Sequence, residues 1–252
     1  MSVADRCLTV SEGVAERLAT RYYRRDVLVV KNCPPRRNAT KLPSKAGARE
    51  AVGWSPAARI VVYQGVVIAN RGLEELVEAA KWLRKVHIVI VGPDKPYARH
   101  LQQKAHDIGL SNVTFVGHKE ASERDLIMRA ADLGVVLTQD RSASYRLTLS
   151  NKIFEYFANG LPAVVSDLPP HRQLAKDTGV CTTVDPEDPA AIARGIRDFF
   201  SLPQAQRDAM SERAVAAHLA EYNMQRQIEP LLEYYRGLVS RVRESEPKRC
   251  MW

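Results

Sequence analysis

Short runs of Val, Ile and Leu recur along most of the chain, each followed by a stretch in which apolar residues return every three or four positions. From residue 59, "RIVVYQG" has the continuous apolar run of a strand buried on both faces. "RGLEELVEAAKWLRK" follows, with Leu73, Leu76, Val77, Ala80 and Leu83 on one helical face. The alternation continues through the strands "VHIVIVG", "NVTFVG", "LGVVLT", "PAVVSD" and "VCTTV". Interleaved with them are the helical patterns "YARHLQQKAHDIG", "ERDLIMRAA", "SNKIFEYFANG", "HRQLAKDTG" and "DPAAIARGIRDFFS". Buried strands alternating with amphipathic helices mean a parallel sheet covered on both faces. The expected class is α/β, a doubly wound, Rossmann-like sheet of six strands. Two more helical stretches, "PQAQRDAMSERAVAAHLAEY" and "QIEPLLEYYRGLVSRVRESE", exceed what such a unit needs to close.

The first 58 residues stand outside this repeat. "RCLTV" is strand-like, Ser11 can cap "EGVAERLATRYY", and "DVLVV" is another short strand. A stretch rich in Pro and Lys then leads to the sheet. The expected division is 1–48 as the last elements of a preceding domain plus a linker, 49–226 as the Rossmann-like domain, and 227–252 as a C-terminal helix and tail.

Charge sharpens that division. Residues 1–60 hold 12 Lys/Arg against 5 Asp/Glu, and residues 61–252 hold 25 against 24. Nearly all of the net charge of +8 therefore sits in the first quarter. A basic segment of this kind serves nucleic acid, anionic lipid or a phosphorylated substrate, or is simply a solvated stretch. No apolar run approaches the ~18 residues of a membrane helix, and no signal-peptide core opens the chain. The four cysteines, Cys7, Cys33, Cys181 and Cys250, show no metal-ligand spacing. They read as thiols of a reduced, cytoplasmic protein without structural zinc. The tail "RCMW" is not a prenylation box, because its Cys is third from the end.

Ligands of such sheets bind beyond the carboxyl ends of the strands, at the switch point. "SNKIFEYFANGLPAVVSD" is the stretch there with the most chemistry. Ser150 is placed to cap a helix, Leu149 and Phe154 have the spacing of a hydrophobic staple, and Gly160 and Pro162 end the helix. Glu155 stands ~130° from the centre of the apolar stripe, by the ~100° per residue of a helix. It either complements the helix dipole or meets a ligand. After the first strand, "YQGVVIANRGLEEL" lacks the GxGxxG of dinucleotide sites and the Walker pattern. Gly65 would let a ligand approach the backbone there, and Arg71 would set a guanidinium fork at a helix N-terminus. The six histidines show no HExxH or paired-ligand spacing, and most read as surface residues; His118, after the third strand, is the one placed near a ligand.

Taken together, "ADRCLTVSEGVAERLATRY", "VVKNCPP", "YQGVVIANRGLEELVEA", "HIVIVGPD", "NVTFVGH", "LIMRAADLGVVL", "LSNKIFEYFANGLPAVVSDLPPHRQL", "DTGV" and "VDPEDPAAIARGI" resemble the C-terminal half of the family-4 retaining glycosyltransferases. Those enzymes face two Rossmann-like domains across a cleft, the GT-B architecture. The resemblance covers roughly residues 3–240. It implies that Glu155, matching the second acid of a Glu-x7-Glu element, clamps the ribose of a nucleotide. It places the diphosphate on the amides around Ser150, Asn151 and Lys152. Arg71, where the family has the Lys of a "KG" pair, and Lys152 become the catalytic cations that neutralise the leaving diphosphate. The backbone near Gly65, Gly92, Gly117 and His118 would face the donor and its base.

Three departures qualify the match. Leu147 stands eight residues before Glu155, where the family has Glu, and Val66 replaces a basic residue after Gly65. By the resemblance, most of an N-terminal acceptor domain would lie outside this sequence. The implied activity is hexosyl transfer from a nucleotide-diphosphate sugar with retention, this chain being the donor-binding half and, alone, inactive or dependent on the missing domain. No metal is called for, since no Asp-x-Asp pair ends a strand, and no cofactor. The implied partners are a nucleotide sugar, an acceptor saccharide or lipid-linked acceptor, a separate chain carrying the N-terminal domain, and the inner face of a membrane; nucleic acid is not expected. The competing readings are a non-catalytic glycosyltransferase-like subunit and a sugar-nucleotide epimerase.

Overall fold

The computed structural model describes residues 6–23, 26–37 and 43–245. Cys250, the "RCMW" tail and the centre of the Pro- and Lys-rich stretch lie outside the described residues.

Six parallel strands make the central sheet: β3 (Ile60–Gln64), β4 (His87–Val91), β5 (Val113–Gly117), β6 (Leu133–Val136), β7 (Ala163–Ser166) and β8 (Cys181–Val184). Their order is β5-β4-β3-β6-β7-β8, so the chain winds outward in one direction from β3 and in the other from β6. The seam between β3 and β6 is the switch point of the doubly wound sheet. Period-two side-chain alternation builds a core on each face. Val61 and Tyr63 join a cluster with Leu73, Leu76, Leu101, Ile192 and Ile196. Ile60 and Val62 join the other, with Met128, Ile153, Tyr156, Phe157 and Leu174. Burying each such side chain contributes roughly 1.5–3 kcal/mol, which is why the central strands are mostly apolar, while the edge strands β5 and β8 admit threonines.

One face carries α3 (Leu73–Ala79), α4 (Pro96–Asp107) and α9 (Pro189–Ser201); a 3-10 turn, Ala80–Trp82, ends α3 earlier than its apolar pattern does. The other face carries α5 (Ala121–Ala130), α7 (Asn151–Ala158), α8 (Pro169–Thr178) and α10 (Gln204–Ala220). The short α11 (Met224–Gln227) and α12 (Glu229–Ser245) close the described chain.

The leading residues form β1 (Cys7–Thr9), α1 (Glu12–Tyr22) and β2 (Val27–Val29), with β1 and β2 paired in parallel as a separate small sheet. Ser11 caps α1, accepting from Val14 N at 3.3 Å. Residues 31–37 then run along the last helices. Lys31 N donates to Gln227 Oε1 (3.0 Å), Met224 N to Pro34 O (2.9 Å) and Arg37 N to His218 Nε2 (3.2 Å).

Besides the four-residue α11, two helices appear where no helix is read from the sequence. The first, α2 (Lys45–Val52), spans the expected boundary at residue 48 and packs on α5. Ser44 accepts from Gly47 N at its start, and Gly53, at φ +73°, ends it. Its Arg49 is buried and donates to the carbonyls of Ala130 (3.0 Å) and Ala58 (3.0 Å) and to Asp132 Oδ2 (2.8 Å). Asp132 also accepts from Ile60 N at 2.8 Å, so this pair ties α2 to the entrance of β3. The second, α6 (Ala143–Leu147), is a five-residue turn capped by Ser142, which accepts from Tyr145 N at 3.2 Å.

Candidate functional site

The site lies at the carboxyl end of the β3–β6 seam, and Tyr156 fixes α7 above it. The Tyr156 hydroxyl accepts from Gln64 N at 3.3 Å and lies 3.3 and 3.2 Å from the carbonyls of Val62 and Val135, one of which takes its proton. Gly134 makes room, since a Cβ there would lie 2.5 Å from the Tyr156 ring. A helix so pinned delivers its N-terminal turn to the strand ends.

That turn departs from its expected cap. Ser150 has extended backbone at the N-cap position, but its side chain makes no capping bond; the first turn closes through Ile153 N donating to Ser150 O at 3.0 Å. First-turn amides have no partner within a helix, so an uncapped turn keeps donors for a ligand.

Four of the sequence-predicted residues meet around one cavity of about 300 Å³: Arg71 from the loop after β3, and Ser150, Asn151 and Lys152 from α7. Thr138 follows β6 into it, Ser144 and Tyr145 come from α6, and His171 comes from α8. Arg71 Nη1 donates to Thr138 Oγ1 at 3.4 Å, and its guanidinium stacks 4.8 Å from the Tyr145 ring centroid. Lys152 places its ammonium 5.5 Å from the Tyr63 ring centroid. Burial, and then the nearby Arg71, push the Lys152 amine down to about 8, with Glu155 acting the other way. Two cations thus stand close together, and among the described residues no carboxylate is ion-paired with either.

Gly65 and Gly92 sit behind this cluster. Gly65 has φ +129°, and a Cβ on it would fall on Lys152 Cε. Gly92 is packed beneath it, the Gly65 carbonyl standing where a Cβ would project, and its N–H donates to Gly117 O at 3.0 Å. The loop that carries Arg71 is held at both ends. The Tyr63 hydroxyl donates to Val66 O at 2.8 Å, and Gln139 N donates to Asn70 O at 3.1 Å.

Glu155 is outside the cavity lining, one helical turn beyond Lys152 and half-buried. Gln64 Nε2 donates to its Oε2, a contact that sequence patterning does not reveal. Burial raises the Glu155 pKa; Arg124, Arg37 and Lys152 oppose the rise and Asp125 adds to it. Glu155 is therefore embedded in a charged setting beyond any helix dipole. Leu147 is on the far side of α6 from the cation cavity, lining a groove of about 720 Å³ shared with α1.

His118 is exposed and lies 3.6 Å from Glu120, outside the cavity. Two histidines depart from the surface placement of the rest: His171 and His218 are each only 1% exposed. His171 follows two prolines at the start of α8, and nothing in its spacing separates it from an exposed residue; burial follows from its contact with the end of β7. Cys7, Cys33 and Cys181 are buried free thiols. Among the described residues, no helix is long and apolar enough to cross a membrane.

The cavity at the switch point of this doubly wound α/β domain thus holds two cations at a helix N-terminus, neither ion-paired with a carboxylate among the described residues. Residues 58–201, more than half of the chain, match the family described as "Glycosyl transferases group 1". The chain belongs to that family. It is 27% identical over 243 residues to the D-inositol 3-phosphate glycosyltransferase of Mycolicibacterium gilvum, a match covering 92% of this chain and 52% of that protein. Sucrose-phosphate synthase from Thermosynechococcus elongatus superposes with a TM-score of 0.79 at 21% identity, over 94% of this chain and 59% of the other. Anabaena HepE, solved in complex with UDP and glucose, gives 0.74 at 16% identity, over 93% and 64%. The chain thus spans about half the length of its curated relative.

Proposed function

We propose that this chain is the donor-nucleotide half of a retaining hexosyltransferase, with residues 49–226 as the nucleotide-sugar-binding unit. The carrying observation is the convergence of Arg71 and Lys152 on the uncapped first turn of α7, with no carboxylate ion-paired to either among the described residues. A diphosphate is the ligand that two close cations and a row of free amides suit best. As the glycosidic bond breaks, negative charge grows on the departing diphosphate. Arg71 and Lys152 would stabilise that charge where it develops, the largest kind of catalytic contribution. Glu155, oriented by Gln64, would accept the ribose hydroxyls. HepE is solved with UDP and with UDP-glucose, which supports a uridine nucleotide as the first ligand to try.

Acceptor and closure would come from a domain corresponding to the other half of the relatives, in the same or a second chain. The basic first quarter suits a phosphorylated or lipid-linked acceptor at a membrane face. Salt-sensitive binding to anionic vesicles is the expected sign of that contact.

A second reading, a non-catalytic subunit, draws on Leu147, which lines the α1–α6 groove with no acid to offer a donor sugar. Calorimetric titration with UDP, GDP and ADP tests the main reading. Saturable binding of one of them, lost on Arg71→Ala, supports it; no binding of any by the folded chain overturns it in favour of the second.

A further inference from the structure

Two histidines are buried, and they differ in one respect. His218 Nδ1–H donates to Tyr222 O at 2.9 Å while its Nε2 accepts from Arg37 N at 3.2 Å, so both nitrogens are used within the fold. His171 Nδ1 lies 3.1 Å from Ser166 O. A carbonyl only accepts, so Nδ1 carries the proton and Nε2 is left as a lone pair. That Nε2 is buried and has no hydrogen-bond partner among the described residues.

The ring cannot turn this nitrogen elsewhere without giving up its anchor. The anchor is itself fixed, because Ser166 Oγ lies 2.7 Å from Thr138 O and 3.2 Å from Val136 O, holding the end of β7 against β6. Burial depresses the His171 pKa to about 4, so the ring remains a neutral acceptor at neutral pH. His171 lines the same 300 Å³ cavity as Arg71 and Lys152.

This cavity therefore asks two things of its ligand. Arg71 and Lys152 require negative charge, and His171 requires a hydrogen-bond donor. A fully ionised diphosphate offers only acceptors. A sugar esterified to that diphosphate supplies the missing hydroxyl. We infer that His171 Nε2 accepts a hydrogen bond from a hydroxyl of the donor's sugar, making His171 the residue that distinguishes a sugar nucleotide from the bare nucleoside diphosphate. The inference rests on the donor-nucleotide reading above. It also places a polar contact to the sugar on α8, in a chain whose position 147 is apolar and turned away from the cavity.

The test compares wild type, His171→Phe and His171→Gln at about pH 7.5. Each is titrated with UDP, GDP and ADP and with UDP-glucose, GDP-mannose and ADP-glucose. For the base that wild type accepts, His171→Phe should leave nucleoside diphosphate affinity unchanged and weaken the sugar nucleotide about tenfold, the usual scale for one lost hydrogen bond. His171→Gln, which keeps an acceptor, should recover part of that loss. In wild type labelled with 15N-histidine, the Nε2 resonance absent from the variants should shift with the sugar nucleotide and not with the diphosphate; this arm decides the matter if His171→Phe does not fold. Equal losses for both ligands, no loss for either, or an unmoved resonance would overturn the inference while leaving nucleotide binding intact. Wild type that binds neither class of ligand removes the donor-nucleotide reading and this inference with it.

Discussion

The side chain of Lys152 lies across the open face of Gly65, so that a Cβ at residue 65 would fall on Lys152 Cε and stand 3.0 Å from its Nζ. The bare backbone at the end of β3 is what lets this ammonium reach the seam. Gly65 also holds φ +129°, a conformation that L side chains rarely adopt. Gly65→Ala should therefore destabilise the fold by about 1–3 kcal/mol, the usual cost of a strained backbone position. It should also displace Lys152 and weaken nucleotide binding. Urea denaturation and calorimetry read the two effects; destabilisation with unchanged affinity would separate Gly65 from the anion site.

Lys152 should give the protein opposite pH trends in stability and in binding. Its folded pKa of about 8 is below its ordinary 10.5, so between those values the unfolded chain holds more protons than the folded one. Stability should rise with pH across that window, and the charged amine costs the fold below pH 8. Diphosphate affinity should fall as pH rises through about 8, because the ligand needs the ammonium. Lys152→Met should be more stable than wild type at pH 7, bind nucleotide more weakly, and lose the decline in affinity above pH 8.

Arg49 and Asp132 form the buried ion pair that attaches α2 to β3 and α5. Arg49→Met leaves Asp132 paired only with the exposed Lys45 and takes the donor from the carbonyls of Ala130 and Ala58, so it should cost about 1–3 kcal/mol in equilibrium unfolding. Nucleotide affinity of the folded fraction should stay the same, since the pair sits at the opposite ends of the strands from the cavity.

Most of the sheet is legible in the sequence because its strands are buried on both faces and its helices on one. The β1–α1–β2 unit, whose strands are only partly buried and whose helix has no fully buried residue, is legible from its short apolar runs and from Ser11 as a cap. The elements that patterning leaves out are short or carry no apolar stripe. α6 has five residues and none of them buried, and α2 is held as much by the polar contacts of Arg49 as by apolar packing. At the site, Arg71, Ser150, Asn151 and Lys152 are near one another because the switch point is a property of topology, which strand order alone fixes. Gln64 and His171 are not legible, because their contacts depend on side chains meeting from β3 and α7 and from α8 and β7. Ser150 shows the limit in the other direction: a residue type suited to capping occupies the N-cap without using its hydroxyl there.

The half-buried Glu155 carboxylate, one oxygen of which is held by Gln64, makes a specific demand. A ribose clamp must tell a ribonucleotide from its deoxy counterpart. The measurement is the affinity of wild type and Glu155→Ala for the preferred nucleoside diphosphate and for its 2′-deoxy form, UDP and dUDP being the first pair. The expected result is a wild-type preference for the ribonucleotide of roughly 10- to 100-fold, the scale of a hydrogen bond to a charged group, and equal, weak binding of both by the variant. A preference that survives in Glu155→Ala, or none in wild type, would contradict the assignment of Glu155 to the ribose.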